Sequence, residues 1–148
     1  MTDISSLDIL IRLVVAASLG AVIGLEREYR HKPAGVRTDI LVALGTAVMT
    51  IVSVEIARFS DSSSAVDVSR VVSQVLPGIG FIGAGTILQA KGHVEGLTTA
   101  ASIWLVAGVG MAVGLGLFPL AVMATALGVG SLILLHVVKL PEDGGKDN

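Results

Sequence analysis

Carboxylates and guanidinium groups crowd into one short stretch of this sequence: Glu26-Arg27-Glu28, then Pro33-Ala34-Gly35-Val36-Arg37-Thr38-Asp39. Such groups form charge-assisted hydrogen bonds when the chain brings them together. Pro33 and Gly35 shape a turn between the two halves. Two readings stand. The charges are solvated at helix ends, with Thr38 or Asp39 as a natural N-cap; or Glu26, Arg27, Arg37, Thr38 and Asp39 meet as a polar cluster at the mouth of a helix bundle.

A second group lies further on. Gly78-Ile79-Gly80-Phe81-Ile82-Gly83 matches the dinucleotide fingerprint letter for letter. That fingerprint requires a preceding strand and a βαβ setting; here it follows Pro77 inside an apolar stretch, so the nucleotide reading fails. Pro77 removes a backbone donor, and Gly78, Gly80, Gly83 and Gly85 weaken the helix further. The segment is expected to be a kinked or broken helix. Broken helices build substrate cavities in transporters, and Gln74, Thr86, Thr98 and Thr99 would line one. The other reading is a Gly-rich packing surface without a ligand.

Few other groups offer chemistry. Arg12 lies about one turn into its helix and is placed to snorkel outward. Glu55 and Arg58 stand at i, i+3 and are placed to pair. His31, His93 and His136 lack metal-ligand spacing, and no nucleophile–base pair is visible. With no cysteine in the chain, thiolate sites are excluded. No metal, no cofactor and no enzymatic activity are expected.

These residues must be positioned by membrane helices. The chain is 53% hydrophobic and only 15% charged, against about 25% charged in soluble domains; its mean hydropathy is +0.85. A net charge of −2 gives no basic face for nucleic acid. Five apolar stretches, about residues 7–25, 39–59, 71–90, 97–114 and 120–138, approach the ~20 residues that cross a bilayer. The expected fold is an all-α integral membrane bundle over residues 1–140, with a disordered cytoplasmic tail over 141–148. Leu115 to Pro119 reads as a tight helical hairpin. The acidic start, with Asp3 and Asp8, is unlike a removable signal, so the first helix is expected to stay.

Arg27, Arg30, Lys32 and Arg37 make the first loop the most basic, and the positive-inside rule puts it in the cytoplasm. The N-terminus is then external and the C-terminus cytoplasmic. Gly20/Gly24, Gly110/Gly114 and Ala126/Gly130 have small-x-x-x-small spacing, which lets helices approach closely. A homodimer is expected from the stripes on the first, fourth and fifth helices.

Four ordered motifs carry a resemblance: Gly24 to Glu28, Pro33 to Thr38, Gly78 to Ile87, and Gly96-Leu97-Thr98-Thr99-Ala100-Ala101-Ser102-Ile103-Trp104. Together they resemble the bacterial MgtC/SapB membrane family from about Leu7 to Val138. The resemblance implies an inner-membrane protein associated with growth under magnesium limitation and, in pathogens, with survival inside macrophages. It implies modulation of a membrane partner, such as ATP synthase or a sensor kinase, under magnesium or acid stress; the alternative is a small ion or solute transporter or channel. By the same resemblance the residues that matter are Glu26, Arg27, Arg37, Thr38, Asp39, the 78–85 segment, Thr98 and Thr99. Nothing carries over from the soluble cytoplasmic domain that family members add after the helices.

Overall fold

The computed structural model describes residues 4–59, 68–90 and 93–137. The tail at 141–148, Lys91, Lys139, Lys146 and the polar loop with Asp61 and Asp67 lie outside them. Five helices follow one another: α1 (Ser6–Tyr29), α2 (Val36–Phe59), α3 (Val68–Gly85), α4 (Leu97–Gly114) and α5 (Phe118–Val137). A two-stranded antiparallel hairpin, β1 (Leu88–Ala90) and β2 (His93–Glu95), pairs Leu88 with Glu95 and Ala90 with His93 between α3 and α4. Helices are the structures that satisfy their own backbone in lipid. Among the described residues, Ser6–Tyr29, Val36–Arg58 and Leu97–Gly114 are long and apolar enough to cross a membrane, and Phe118–Leu134 is a shorter apolar helix. The third helix, with Arg70, Gln74, Pro77 and four glycines, is not among them.

Local chemistry sets the helix ends. Ser5 caps α1 by accepting from the Asp8 N–H at 3.1 Å. At the other end the Lys32 N–H returns to the Arg27 carbonyl and the His31 N–H to that of Glu28, with His31 at φ 54°. This is a Schellman closure with a histidine in the left-handed position that usually holds glycine. The α4 end closes the same way through Gly116 at φ 81°: the Leu117 N–H bonds to Ala112 O and the Gly116 N–H to Val113 O. Pro119 lies in the first turn of α5, so the expected tight hairpin forms.

Three boundaries differ from the expected ones. The first helix runs on to Tyr29 and thus carries Glu26 and Arg27. The second begins at Val36, so Thr38 and Asp39 are not its N-cap. Its first N–H, that of Val36, is capped instead by the Glu28 carboxylate at 3.1 Å. The third helix is continuous through Pro77, so it is not broken there. It ends at Gly85, where Thr86 turns back onto the Gly83 carbonyl and the hairpin takes over.

Helix α2 lies between α1 and α4, and glycines set both approaches. A Cβ on Gly20 would sit 2.7 Å from the Asp39 carbonyl oxygen, and one on Gly24 would sit 2.6 Å from Val36 Cα. On the other side a Cβ on Gly114 would lie 2.7 Å from Thr50 Cβ, and one on Gly110 3.0 Å from Ala43 Cα. Two of the three small-residue spacings are therefore used inside the chain. Ala126 and Gly130 on α5 are exposed instead. Ile23, Ile103, Val106, Val109 and Val113 fill the centre of the core, while Leu10, Val14, Met123 and Leu127 face outward.

Candidate functional site

The α1–α2 contact carries a charged cluster. Ala16, Gly20, Gly24 and Arg27, spaced 4, 4 and 3, form one buried stripe of α1. Residues so spaced share a helix face, so the glycines that press α1 onto α2 also turn Arg27 inward. Its side chain is 3% exposed, and its Nε donates to Glu26 Oε2 at 2.7 Å. Arg30 also donates to Glu26, through Oε1, and the Glu26 side chain is 8% exposed. Arg30 is not among the residues expected to matter, although its i, i+4 spacing from Glu26 is the usual signal for such a pair.

Asp39 stands across this contact, in the first turn of α2, at 0% exposure. Its N–H donates to the Gly35 carbonyl, yet neither carboxylate oxygen has a hydrogen-bond partner among the described residues, and Arg27 Nη1 has none either. Arg27 is the charge that acts electrostatically on Asp39. Burying a carboxylate with no hydrogen bond is costly, so the pair is a place where structure alone does not satisfy the side chains. Glu26, Arg27 and Arg30 are joined by ion pairs at the end of α1, and Asp39 is buried on the α2 side of the same helix contact without an ion pair to them.

Arg37 and Thr38 point elsewhere. Thr38 lines a groove of about 720 Å³ between α2 and α3, with Leu41 and Gly45 on its α2 wall and Gln74, Gly78 and Ile82 on its α3 wall. Arg37 is exposed one turn before Leu41 on the same face. The wall is mostly apolar, with Gln74 and the Thr38 and Thr46 hydroxyls its polar groups. Thr46 is already engaged, donating to the Val42 carbonyl at 3.0 Å.

The second group expected from the sequence is dispersed. Gln74 and Gly78 belong to the groove, while Pro77, Gly80 and Gly85 are exposed. Gly83 packs on Ala100, and the Thr86 hydroxyl donates to the Gly83 carbonyl at 2.7 Å. Thr98 is exposed, whereas Thr99 is buried and its carbonyl accepts from Ser102. The threonines of α4 therefore do not join the groove residues. Arg12 reaches one turn back toward the N-terminus, where Asp8 holds its guanidinium, and its Nη1 donates to the Gly114 carbonyl at 2.6 Å. The cation thereby sits at the α4 C-terminus, where the helix dipole favours it. Glu55 pairs with Arg58 at 2.9 Å, as their spacing indicates.

The profile of the MgtC family matches residues 13–140. The Escherichia coli protein described as "Putative magnesium transporter YhiD" is 41% identical over 134 residues, 88% of this chain and 60% of the relative. SapB of Bacillus subtilis is 44% identical over 114 residues, 75% of this chain and 49% of the relative. MgtC of Salmonella typhimurium is 41% identical over 127 residues, 86% of this chain and 52% of the relative. The chain spans about half to three fifths of the length of these relatives. No solved structure matches it. The profile runs from the first turns of α1 to the end of α5, across the charged contact and the groove alike, and the chain belongs to the MgtC family.

Proposed function

We propose that this protein modulates a partner complex in the bacterial inner membrane during magnesium limitation or acid and intracellular stress, and does not itself move magnesium. The observation that carries the reading is the wall of the space reaching Gly78: it is mostly apolar and lies open along α2 and α3. A path for a hydrated divalent ion needs oxygen ligands, carboxylates above all. No carboxylate lines this space: Asp39, which has no hydrogen-bond partner among the described residues, lies at the α1–α2 contact, and the others are committed elsewhere. Glu26 is held by two arginines, Glu28 caps α2, and Glu55 and Asp8 are each paired. In this reading the contact with the partner is made by helix faces in the bilayer. Ala126 and Gly130 on α5, left unused inside the bundle, also suit a second copy of the chain.

Affinity capture from native membranes of magnesium-starved cells tests this. The expected result is a complex larger than a dimer of the chain, lost when Gly130→Leu closes the α5 face. Recovery of monomer alone from membranes that retain function would count against it.

Transport is the second reading, and one observation favours it: buried polar atoms of Arg27 and Asp39 have no hydrogen-bond partner among the described residues. The name of the Escherichia coli relative points the same way.

A further inference from the structure

The groove between α2 and α3 has two glycines that packing does not explain. A Cβ added at Gly45 or at Gly78 would meet no atom within 4 Å, whereas each glycine on the α1–α2 and α2–α4 contacts touches a neighbouring helix. Glycine weakens a helix relative to alanine; Gly80, Gly85, Gly108 and Gly130 have the same open surroundings outside the groove, and at Gly45 and Gly78 the missing side chain leaves the groove that much wider. From Thr38 to Met49, both on its wall, the groove runs eleven residues along α2, about 16 Å at the helical rise. The hydrocarbon core is roughly 30 Å thick, so one leaflet is about 15 Å. The groove has the length of a single leaflet, while a membrane-crossing helix would run twice as far.

Its end is charged. Arg37, Leu41 and Gly45 follow one another at intervals of four, so Arg37 stands over the mouth beside Thr38. Arg12, Arg27, Arg30 and Arg58 are each ion-paired. Arg37 is exposed and has no such partner among the described residues. Lys32, in the loop just before it, is exposed too. An apolar slot one leaflet deep, closed by an unpaired guanidinium and a hydroxyl, complements an amphiphile with an anionic head. Basic pockets between helices bind anionic lipid head groups in this way.

We propose that the α2–α3 groove binds an anionic phospholipid, with one acyl chain lying along Gly45 and Gly78 and the phosphate at Arg37 and Thr38. The site belongs to the leaflet on the side of the first loop, and it holds whether or not the protein moves an ion.

The test uses the full chain in phosphatidylcholine vesicles doped with spin-labelled phosphatidylglycerol or spin-labelled phosphatidylcholine, reading the motionally restricted fraction of each. The wild type is expected to favour the glycerol lipid. Arg37→Gln lowers that preference about fivefold, and Arg37→Lys retains it. Gly78→Leu, for which the groove has room, removes the excess of restricted glycerol lipid over choline lipid and leaves the boundary lipid common to both. Equal retention of the two lipids by the wild type, or an unchanged preference in Arg37→Gln, would overturn the proposal. So would a Gly78→Leu variant that keeps that excess but loses cross-linking to a second protein, because the occupant would then be a helix. Arg37 is exposed, so its variants decide the matter even if Gly78→Leu folds poorly.

Discussion

Arg27 and Asp39 are both buried, one on each side of the α1–α2 contact. The inward turn of Arg27 follows from its spacing to Ala16, Gly20 and Gly24 on one stripe, so it is legible in the residue pattern alone. The burial of Asp39 is not. It depends on α2 starting at Val36, and that start depends on Glu28 reaching across eight residues to cap it. A local search for N-caps finds Thr38 and Asp39 because it cannot see a carboxylate arriving from the preceding helix. The pair makes a sharp prediction. Arg27→Met leaves the Asp39 carboxylate buried without the charge that acts on it and should destabilise the bundle by about 3–5 kcal/mol. Adding Asp39→Ala should recover most of that loss, measured by unfolding in mixed micelles. A double variant as unstable as the single one would show that the two residues are not coupled.

The helices themselves are easier to read than the way they meet. Five apolar stretches form five helices because lipid leaves the backbone few alternatives. The differences fall at the ends, where α1 is longer, α2 starts earlier and α3 gives way to the hairpin at Leu88. Those ends are set by contacts between elements. Glycines in these helices have two opposite roles, and one assay separates them. Gly24→Ala places a methyl 2.6 Å from Val36 Cα, and a clash with backbone at a packed contact should cost about 1–3 kcal/mol. Gly45→Ala and Gly78→Ala meet open space and should each raise stability by up to about 1 kcal/mol. Equal effects at all three positions would mean that the α1–α2 contact is looser than described. At the α1 end, His31 at φ 54° adopts a backbone that is unfavourable by about 1–2 kcal/mol for a residue with a Cβ. His31→Gly should therefore raise the melting temperature in detergent, and a fall would mean that the imidazole makes a contact worth more than the strain.

At the scale of the whole molecule, class and family are legible from composition and from the four ordered motifs. The grouping of the site residues is not. Glu26, Arg27, Arg37, Thr38 and Asp39 are neighbours in sequence, yet Thr38 lines the groove and Arg37 is exposed, while the other three lie at the α1–α2 contact. Only the placement of α3 beside α2 creates a groove to turn towards. Orientation in the membrane rests on the basic first loop. Reporters after Lys32 and after Asp143 should read cytoplasmic and one within residues 61–64 external; the reverse pattern would invert the topology and move the lipid site to the other leaflet. The functional account has its most direct test in flux. The full chain, purified and reconstituted in liposomes loaded with a magnesium-sensitive dye, should give no saturable magnesium entry above empty liposomes, with or without a proton gradient. Saturable entry that disappears in a folded Asp39→Asn variant would contradict the account and make the buried Asp39 part of a transport path.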